Sequence, residues 1–288
     1  MTRRVESRAS LTAELTCICR AGSSVEKNLF YKSGDTVALQ ILSEPIKTLI
    51  KIPFYRKLHF GFGAPKGLYE YIITRTKYID GIYKIALENK ITQIVIVGAG
   101  YDTRAIRLPN NYDQMKIYEL DSIFTQQAKM KAYKNNDIQI PKNLRFVPIN
   151  FEKENLCNKF EEIGMERNKK SFYIIEGVTM YLEQTAVDRL FTEISKYMGK
   201  ESMVVFDYIY NDVLRQERKH YGEKGAIATV KKVNESFQFG MENNSISEYL
   251  MKYNFQVIDH LDAREMERRY FTDKNGEIIH HKMIFIAW

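Results

Sequence analysis

A turn of two glycines, with acids at the ends of successive apolar runs, has the clearest chemical content in this sequence. Ile94 to Val97 leads straight into Gly98-Ala99-Gly100, and Asp102 follows at once. In an open parallel sheet, ligands bind beyond the carboxyl ends of the strands, where glycine lets the backbone approach closely. A dinucleotide fingerprint would place a third glycine where Thr103 stands. Asp102 would also repel a diphosphate seated on a helix N-terminus. Glu119 and Asp121 close the next apolar run, Asp121 standing 21 positions after Gly100, and an acid at such a distance holds a ribose through its hydroxyls. Either residue can face the crevice, depending on where the strand ends. Glu176 closes a later run. A rim of Asp102, Glu119 or Asp121, and Glu176 suits a guest with a ribose and positive charge, and S-adenosylmethionine, with its sulfonium and ammonium, is such a guest. Each acid also has a plainer reading: Asp102 as a helix cap, Glu176 as the partner of a buried base.

The elements that must position these residues follow from periodicity. Ile94–Val97, Lys116–Leu120, Arg145–Ile149, Phe172–Ile175 and Met203–Phe206 are short β-branched runs with helical patterns between several of them, which implies a parallel sheet wound on both faces. Thr185 to Met198 is the clearest helix, with Val187, Leu190, Phe191 and Ile194 on one stripe and Thr185 with Asp188 placed as a capping box. Phe255–His260 and Lys282–Ala287 read as late strands, with a helical piece from Asp262 to Tyr270 and an Asn275-Gly276 tight turn between them, and they suit a reversed strand at the sheet edge. The first ninety residues form a helical preface. Leu68 to Asn89 carries Tyr71, Ile72, Ile79 and Tyr83 at helical spacing. Val37 to Ile50 is a helix stopped or kinked at Pro45, and Phe54 to Pro65 reads as a loop. The expected organisation is a helical lid over 1–90 and a sheet domain over 91–288, with an insertion at about 207–244.

Val97-Gly-Ala-Gly-Tyr-Asp-Thr-Arg104, Tyr118-Glu-Leu-Asp121, Phe146-Val-Pro-Ile-Asn-Phe151 and Ile175-Glu-Gly-Val-Thr-Met-Tyr-Leu182 resemble, in order and spacing, the leucine carboxyl methyltransferase family and its bacterial and archaeal relatives. Arg75-Thr-Lys-Tyr-Ile-Asp80 resembles that family's Arg-Thr helix. The likeness covers roughly residues 70 to 210 well and the later chain more loosely. It implies an α/β fold: a doubly wound, seven-stranded, mostly parallel sheet with a reversed final strand. It also implies site roles. Arg75 would pair with the methionine carboxylate of S-adenosylmethionine. Gly98 and Gly100 would pass beneath the methionine part, with Asp102 close by. Asp121 would hold the ribose, with Glu119 as the fallback. Asn150 and Phe151 would meet adenine; many relatives carry an acid at the first of these, and the Asn150 amide oxygen can still accept from the adenine amino group. Glu176 would sit near the ammonium and Tyr181 near the acceptor, as base if that acceptor were a hydroxyl. The implied activity is O-methylation of a carboxylate or hydroxyl on a small molecule, ahead of protein C-terminal carboxyl methylation or a non-catalytic S-adenosylmethionine-binding module.

Composition bounds the alternatives. Of 288 residues, 44% are hydrophobic and 27% charged, the balance of a globular chain with a substantial core. No apolar run approaches the roughly 20 residues of a membrane span, and Met1 to Arg8 has no apolar stretch behind its basic residues. No membrane partner or secretory leader is expected, and the location is expected to be cytoplasmic. Three cysteines make no disulfide framework, and no metal site is expected. The net charge of +7 invites a nucleic-acid partner, yet the densest basic stretch, Arg215 to Lys232, is interrupted by Glu217 and Glu223, and the fourth-strand motif lacks the Asn/Asp-Pro-Pro-aromatic cluster used on bases. Phe54, Tyr55, Phe60 and Phe62, with Tyr208, Tyr210 and Tyr221, are the aromatic candidates for acceptor walls.

Overall fold

The five β-branched runs become strands β1 (Gln93–Val97), β2 (Lys116–Asp121), β3 (Leu144–Pro148), β4 (Ser171–Ile175) and β5 (Met203–Phe206). The computed structural model describes residues 7–108, 114–242, 245–279 and 286–287. The five strands pair in parallel in the order β3-β2-β1-β4-β5, and every residue of β1 and β4 is buried, as strands covered on both faces must be. The chain runs outward from β1 to β2 and β3, then returns to the other side of β1 for β4. That reversal opens a crevice at the carboxyl ends of β1 and β4, where an α/β sheet binds its ligand.

The reversed pair forms apart from this sheet. β6 (Tyr208–Ile209), separated from β5 only by Asp207, pairs antiparallel with β7 (Ile286–Ala287). The described residues therefore hold five parallel strands and a separate two-stranded ladder rather than one seven-stranded sheet. Phe255–His260, expected as a strand, forms no ladder, and residues 280–285 of the last expected strand lie outside the described residues. The Asn275-Gly276 turn is present: Gly276 has φ +81° and donates to the Asp273 carbonyl at 3.1 Å.

The helical preface shares the core of the sheet, Cys17, Cys19, Ala21, Ile50 and Phe60 packing into the same apolar cluster as β1 and β4. Burial pushes the Cys17 and Cys19 thiols up to about 12. The helix expected from Val37 to Ile50 is two, Thr36–Gln40 and Glu44–Lys51, with Pro45 in the first turn of the second, the position that needs no N–H. For the same reason Pro53 opens a helix, Pro53–Leu58, followed by a π-helical turn His59–Gly63, where glycines and prolines had signalled a loop. Phe60 stacks on Tyr69 at 4.0 Å between ring centroids, and a Cβ on Gly22 would stand 2.5 Å from that ring. The Gln184–Tyr197 helix begins without a side-chain cap. Asp188, expected in a capping box, accepts instead from the Tyr249 and Tyr253 hydroxyls at 2.6 and 2.7 Å.

Candidate functional site

β1 ends in a turn that only glycine allows. Gly98 and Gly100 have φ of +64° and +48°, in the left-handed region that disfavours a Cβ. A Cβ on Gly98 would also lie 2.3 Å from Val178 Cγ2 in the loop after β4. Three of the turn's N–H groups are spent internally: Ala99 donates to the Leu120 carbonyl at 3.0 Å, Gly100 to Asp121 Oδ2 at 2.5 Å and Asp102 to the Ala99 carbonyl at 2.7 Å. The helix that follows, Arg104–Arg107, is a single turn. With the Ala99, Gly100 and Asp102 amides engaged, a pyrophosphate would find no run of open amides and no helix dipole of useful length, so the turn fits a ligand without phosphates.

Around it lies a cavity of about 770 Å³, in the size range of small-molecule sites. Arg75, Gly98, Gly100, Asp102, Asp121, Asn150, Phe151, Glu176 and Tyr181 all line it, although they come from five separate segments. Glu119 does not. It is 1% exposed and paired with the equally buried Lys129, and burial raises its carboxyl to about 7 despite that partner. Asp121, at the last residue of β2, turns the other way and lines the cavity, its Oδ1 accepting from the Ser122 N–H at 2.6 Å. Burial pushes the Asp121 carboxyl up, against the two backbone N–H groups that hold it ionised.

The other acids are less open than their positions in sequence suggest. Arg75 is buried, with Nε 2.7 Å from Glu176 Oε1, a contact off the hydrogen-bond direction, and Nη1 3.1 Å from Asp207 Oδ2. Arg104 Nη1 donates to both Asp102 and Glu176, the latter at 2.7 Å, and Arg104 Nε reaches Asp80 at 2.9 Å. Burial works to raise the Glu176 carboxyl, yet Arg104, Arg75 and Arg20 together hold it down at about 2. Asp102 caps as well, its Oδ1 accepting from the Arg104 N–H at 2.7 Å. The pairs join into one chain of charge: Arg20–Asp35–Arg107–Asp80–Arg104–Asp102, and from Arg104 through Glu176 to Arg75 and Asp207. Five carboxylates face four guanidiniums, leaving one negative charge in excess over the chain as a whole.

Sequence reasoning gave Arg20, Arg104, Asp207 and Glu235 no role here. Asp207 is fully buried, and it accepts from the Tyr71 hydroxyl and the Gly177 N–H, each at 2.6 Å, as well as from Arg75. Arg20 lines the cavity from the Leu11–Ser24 helix and donates to the Tyr101 carbonyl at 2.7 Å. Glu235 caps that helix, accepting from Ser10 Oγ and the Leu11 N–H, each at 3.1 Å, and from the Thr12 hydroxyl. The Tyr181 hydroxyl lies nearby, and burial, then Glu235, drive it well above the usual phenol range. At neutral pH it keeps its proton.

The expected aromatic walls are elsewhere. Phe54 is 76% exposed, Phe60, Tyr208 and Tyr210 are buried in packing, and the Phe62 side chain lies outside the described residues. The outer cavity wall is built instead from Leu68, Tyr71, Met180, Ala226, Val230 and Phe237. Among the described residues, no group of His, Cys, Asp and Glu is arranged to hold a metal ion.

A family model described as leucine carboxyl methyltransferase matches residues 35–195. A Bacillus subtilis protein named "Putative S-adenosyl-L-methionine-dependent methyltransferase YktD" is 24% identical over 210 residues, covering 72% of this chain and 67% of its own. A Mycobacterium tuberculosis protein named "Putative S-adenosyl-L-methionine-dependent methyltransferase" is 32% identical over 133 residues, 46% of this chain and 43% of that one. The match thus spans less than half the length of that mycobacterial relative. Among solved structures, an O-methyltransferase family protein from Burkholderia thailandensis aligns with a TM-score of 0.46 at 9% identity, over 64% of this chain and 52% of that one.

Proposed function

The chain belongs to the leucine carboxyl methyltransferase family, and from that premise we propose that it is an S-adenosylmethionine-dependent methyltransferase acting on an oxygen of a small-molecule acceptor. The observation that carries this reading is Asp121: a carboxylate at the end of β2, lining the cavity and fixed by the Gly100 and Ser122 N–H groups. Each of its oxygens has lone-pair capacity left for a ribose hydroxyl. The glycine turn, with its Ala99, Gly100 and Asp102 amides already bonded, leaves room for the methionine chain with its sulfonium and offers little to a diphosphate.

In this reading, residues 1–90 cap a methyltransferase domain of residues 91–288, and the insertion at about 207–244 supplies the second wall. The ion chain as a whole carries one negative charge in excess and meets the cavity at Asp102 and Glu176, which face the cationic end of the cofactor. Arg75 meets the cofactor carboxylate while Asp207 and Glu176 hold its guanidinium. Asn150 Oδ1 already accepts from the Glu152 N–H at 3.0 Å, so an adenine amino group would use its second lone pair.

Bound S-adenosylmethionine supplies an electrophilic methyl group. The chain's share is to align the acceptor oxygen in line with that methyl and keep water out. Tyr181, holding its proton, acts as a hydrogen-bond donor to the acceptor rather than as a base, and the neighbouring Glu235 is committed to a helix N-terminus. An acceptor oxygen already ionised on arrival, a carboxylate, fits this site better than an alcohol.

Mass spectrometry of the protein as purified, followed by calorimetry, tests the assignment. S-adenosylmethionine or its demethylated product is expected to copurify, and Asp121→Ala to weaken cofactor binding roughly 10- to 100-fold through lost hydrogen bonds to a charged group. A nicotinamide nucleotide in the purified protein, or full affinity in the variant, would refute it. Binding without methyl transfer to any carboxylate in an acceptor screen would mark a binding module.

A further inference from the structure

From Pro45 to Tyr69 the sequence contains no Asp or Glu, while Lys47, Lys51, Arg56, Lys57 and Lys66 all fall within it. The fold sorts these cations. Arg56 is buried against Glu26 at 2.9 Å, and Lys47 is paired with Glu44 at 2.7 Å. Lys51, Lys57 and Lys66 stand exposed, and among the described residues none of them forms an ion pair. Two short helices, Glu44–Lys51 and Pro53–Leu58, and the Ile52 cap between them turn apolar side chains outward: Leu49 is 39% exposed, Ile52 46%, Phe54 76% and Leu58 50%. Phe54 and Leu58 are four residues apart on one helix and so share a face, with Lys57 beside them. Scattered exposed apolar residues are ordinary on a soluble surface; four within ten residues, interleaved with exposed lysines, are a denser group than that.

We propose that this face docks the protein onto an anionic lipid surface. No helix among the described residues is long and apolar enough to cross a membrane, and the expectation of no membrane partner came from the lack of such a span. A peripheral contact asks for something else: a few apolar side chains to enter the headgroup boundary and cations to meet the lipid charge. Leu49, Ile52, Phe54 and Leu58 supply the first, Lys51, Lys57 and Lys66 the second. The absence of carboxylates from the stretch removes the repulsion that would oppose approach. A nucleic acid would want an uninterrupted basic stripe and gains nothing from Ile52 or Leu58. The chain continues from this face to Pro65 and Leu68 on the cavity wall.

Sedimentation of the full chain with vesicles tests this without reference to catalysis. The protein is expected to pellet with vesicles of phosphatidylcholine and phosphatidylglycerol in equal parts, to stay in solution with phosphatidylcholine alone, and to be released by high salt. Phe54→Glu with Leu58→Glu, and separately Lys51→Glu with Lys57→Glu, should each weaken binding about tenfold or more, while Ile258→Glu, at an exposed apolar residue elsewhere, leaves it unchanged. Thermal melts of these surface variants close to the parent's show that folding is intact. Failure of the parent to bind anionic vesicles overturns the proposal, as does binding that survives both double variants or is lost instead with Lys231→Glu and Lys232→Glu. Concentration-dependent dimerisation abolished by Phe54→Glu, with no lipid binding, assigns the face to a second copy of the chain and overturns it equally.

Discussion

Gly98 has a left-handed φ and a neighbour, Val178, already where its Cβ would go. Gly98→Ala should therefore cost about 2–4 kcal/mol, from backbone strain and overpacking together, and abolish cofactor binding by displacing the loop after β4. Gly34→Ala, where a Cβ meets nothing within 4 Å, should change stability by no more than about 0.5 kcal/mol. Urea unfolding of the pair checks both, and equal midpoints would contradict the strain argument. At this scale the sequence was readable where chemistry is local. The two glycines and the acids at strand ends needed only their neighbours to be recognised. The choice between Glu119 and Asp121 was not readable, because it depends on β2 ending at Asp121 and on Lys129 waiting beneath Glu119. Arg104 stood inside a recognised motif without a role, since Asp80 and Glu176 lie 24 and 72 residues away along the chain.

Elements were legible through periodicity and misread at their ends. The β-branched runs predicted β1 to β5 to within a residue, because strands buried on both faces leave an unbroken apolar signature. Local signals mislead in the preface: Pro45, which reads as stopping or kinking a helix, lies in the first turn of one, and Phe54 to Pro65, which reads as a loop, continues the helix that Pro53 opens. The Leu11–Ser24 helix has no clear signature in the sequence, and its position over the glycine turn depends on a distant residue, Glu235, whose carboxylate takes up its N-terminal N–H and hydroxyl groups. Glu235→Ala removes that cap and its charge from the positive end of the helix, a loss of about 1–2 kcal/mol. The effect should be local: faster amide exchange across residues 11–24, a raised cofactor off-rate, and little change in protection of β1 and β4. Uniform loss of protection across the sheet would show that the helix is not a separable lid.

Across the whole molecule, the chain of charge from Arg20 to Asp207 ties the preface, the Leu68–Glu88 helix and the loops after β1, β4 and β5 into one unit, and it sets how stability depends on pH. Glu176 is its hinge. Its folded carboxyl titrates at about 2 against an ordinary 4.5, so its proton is bound less tightly in the folded state than in the unfolded one. Such a group adds stability that is fully present above pH 4.5 and is lost as pH falls toward 2, about 3 kcal/mol in all. Glu119 acts with the opposite sign. Raised to about 7 by burial, it binds its proton more tightly when folded, so stability should rise as pH falls from 7 toward 4.5. The expected profile has a maximum on the acid side of neutrality and a steep loss below 4.5. Glu176→Gln, which leaves Arg75 and Arg104 short of a counter-charge, should cost roughly 3–5 kcal/mol at pH 7 and flatten the limb below 4.5. Glu119→Gln should flatten the limb between 4.5 and 7 and leave the acid limb intact. Urea midpoints for the three proteins from pH 2.5 to 7.5 measure both slopes. An acid limb in Glu176→Gln as steep as the parent's would mean that other carboxylates govern the loss, and that the ion chain does not hold the crevice together in the way its geometry indicates.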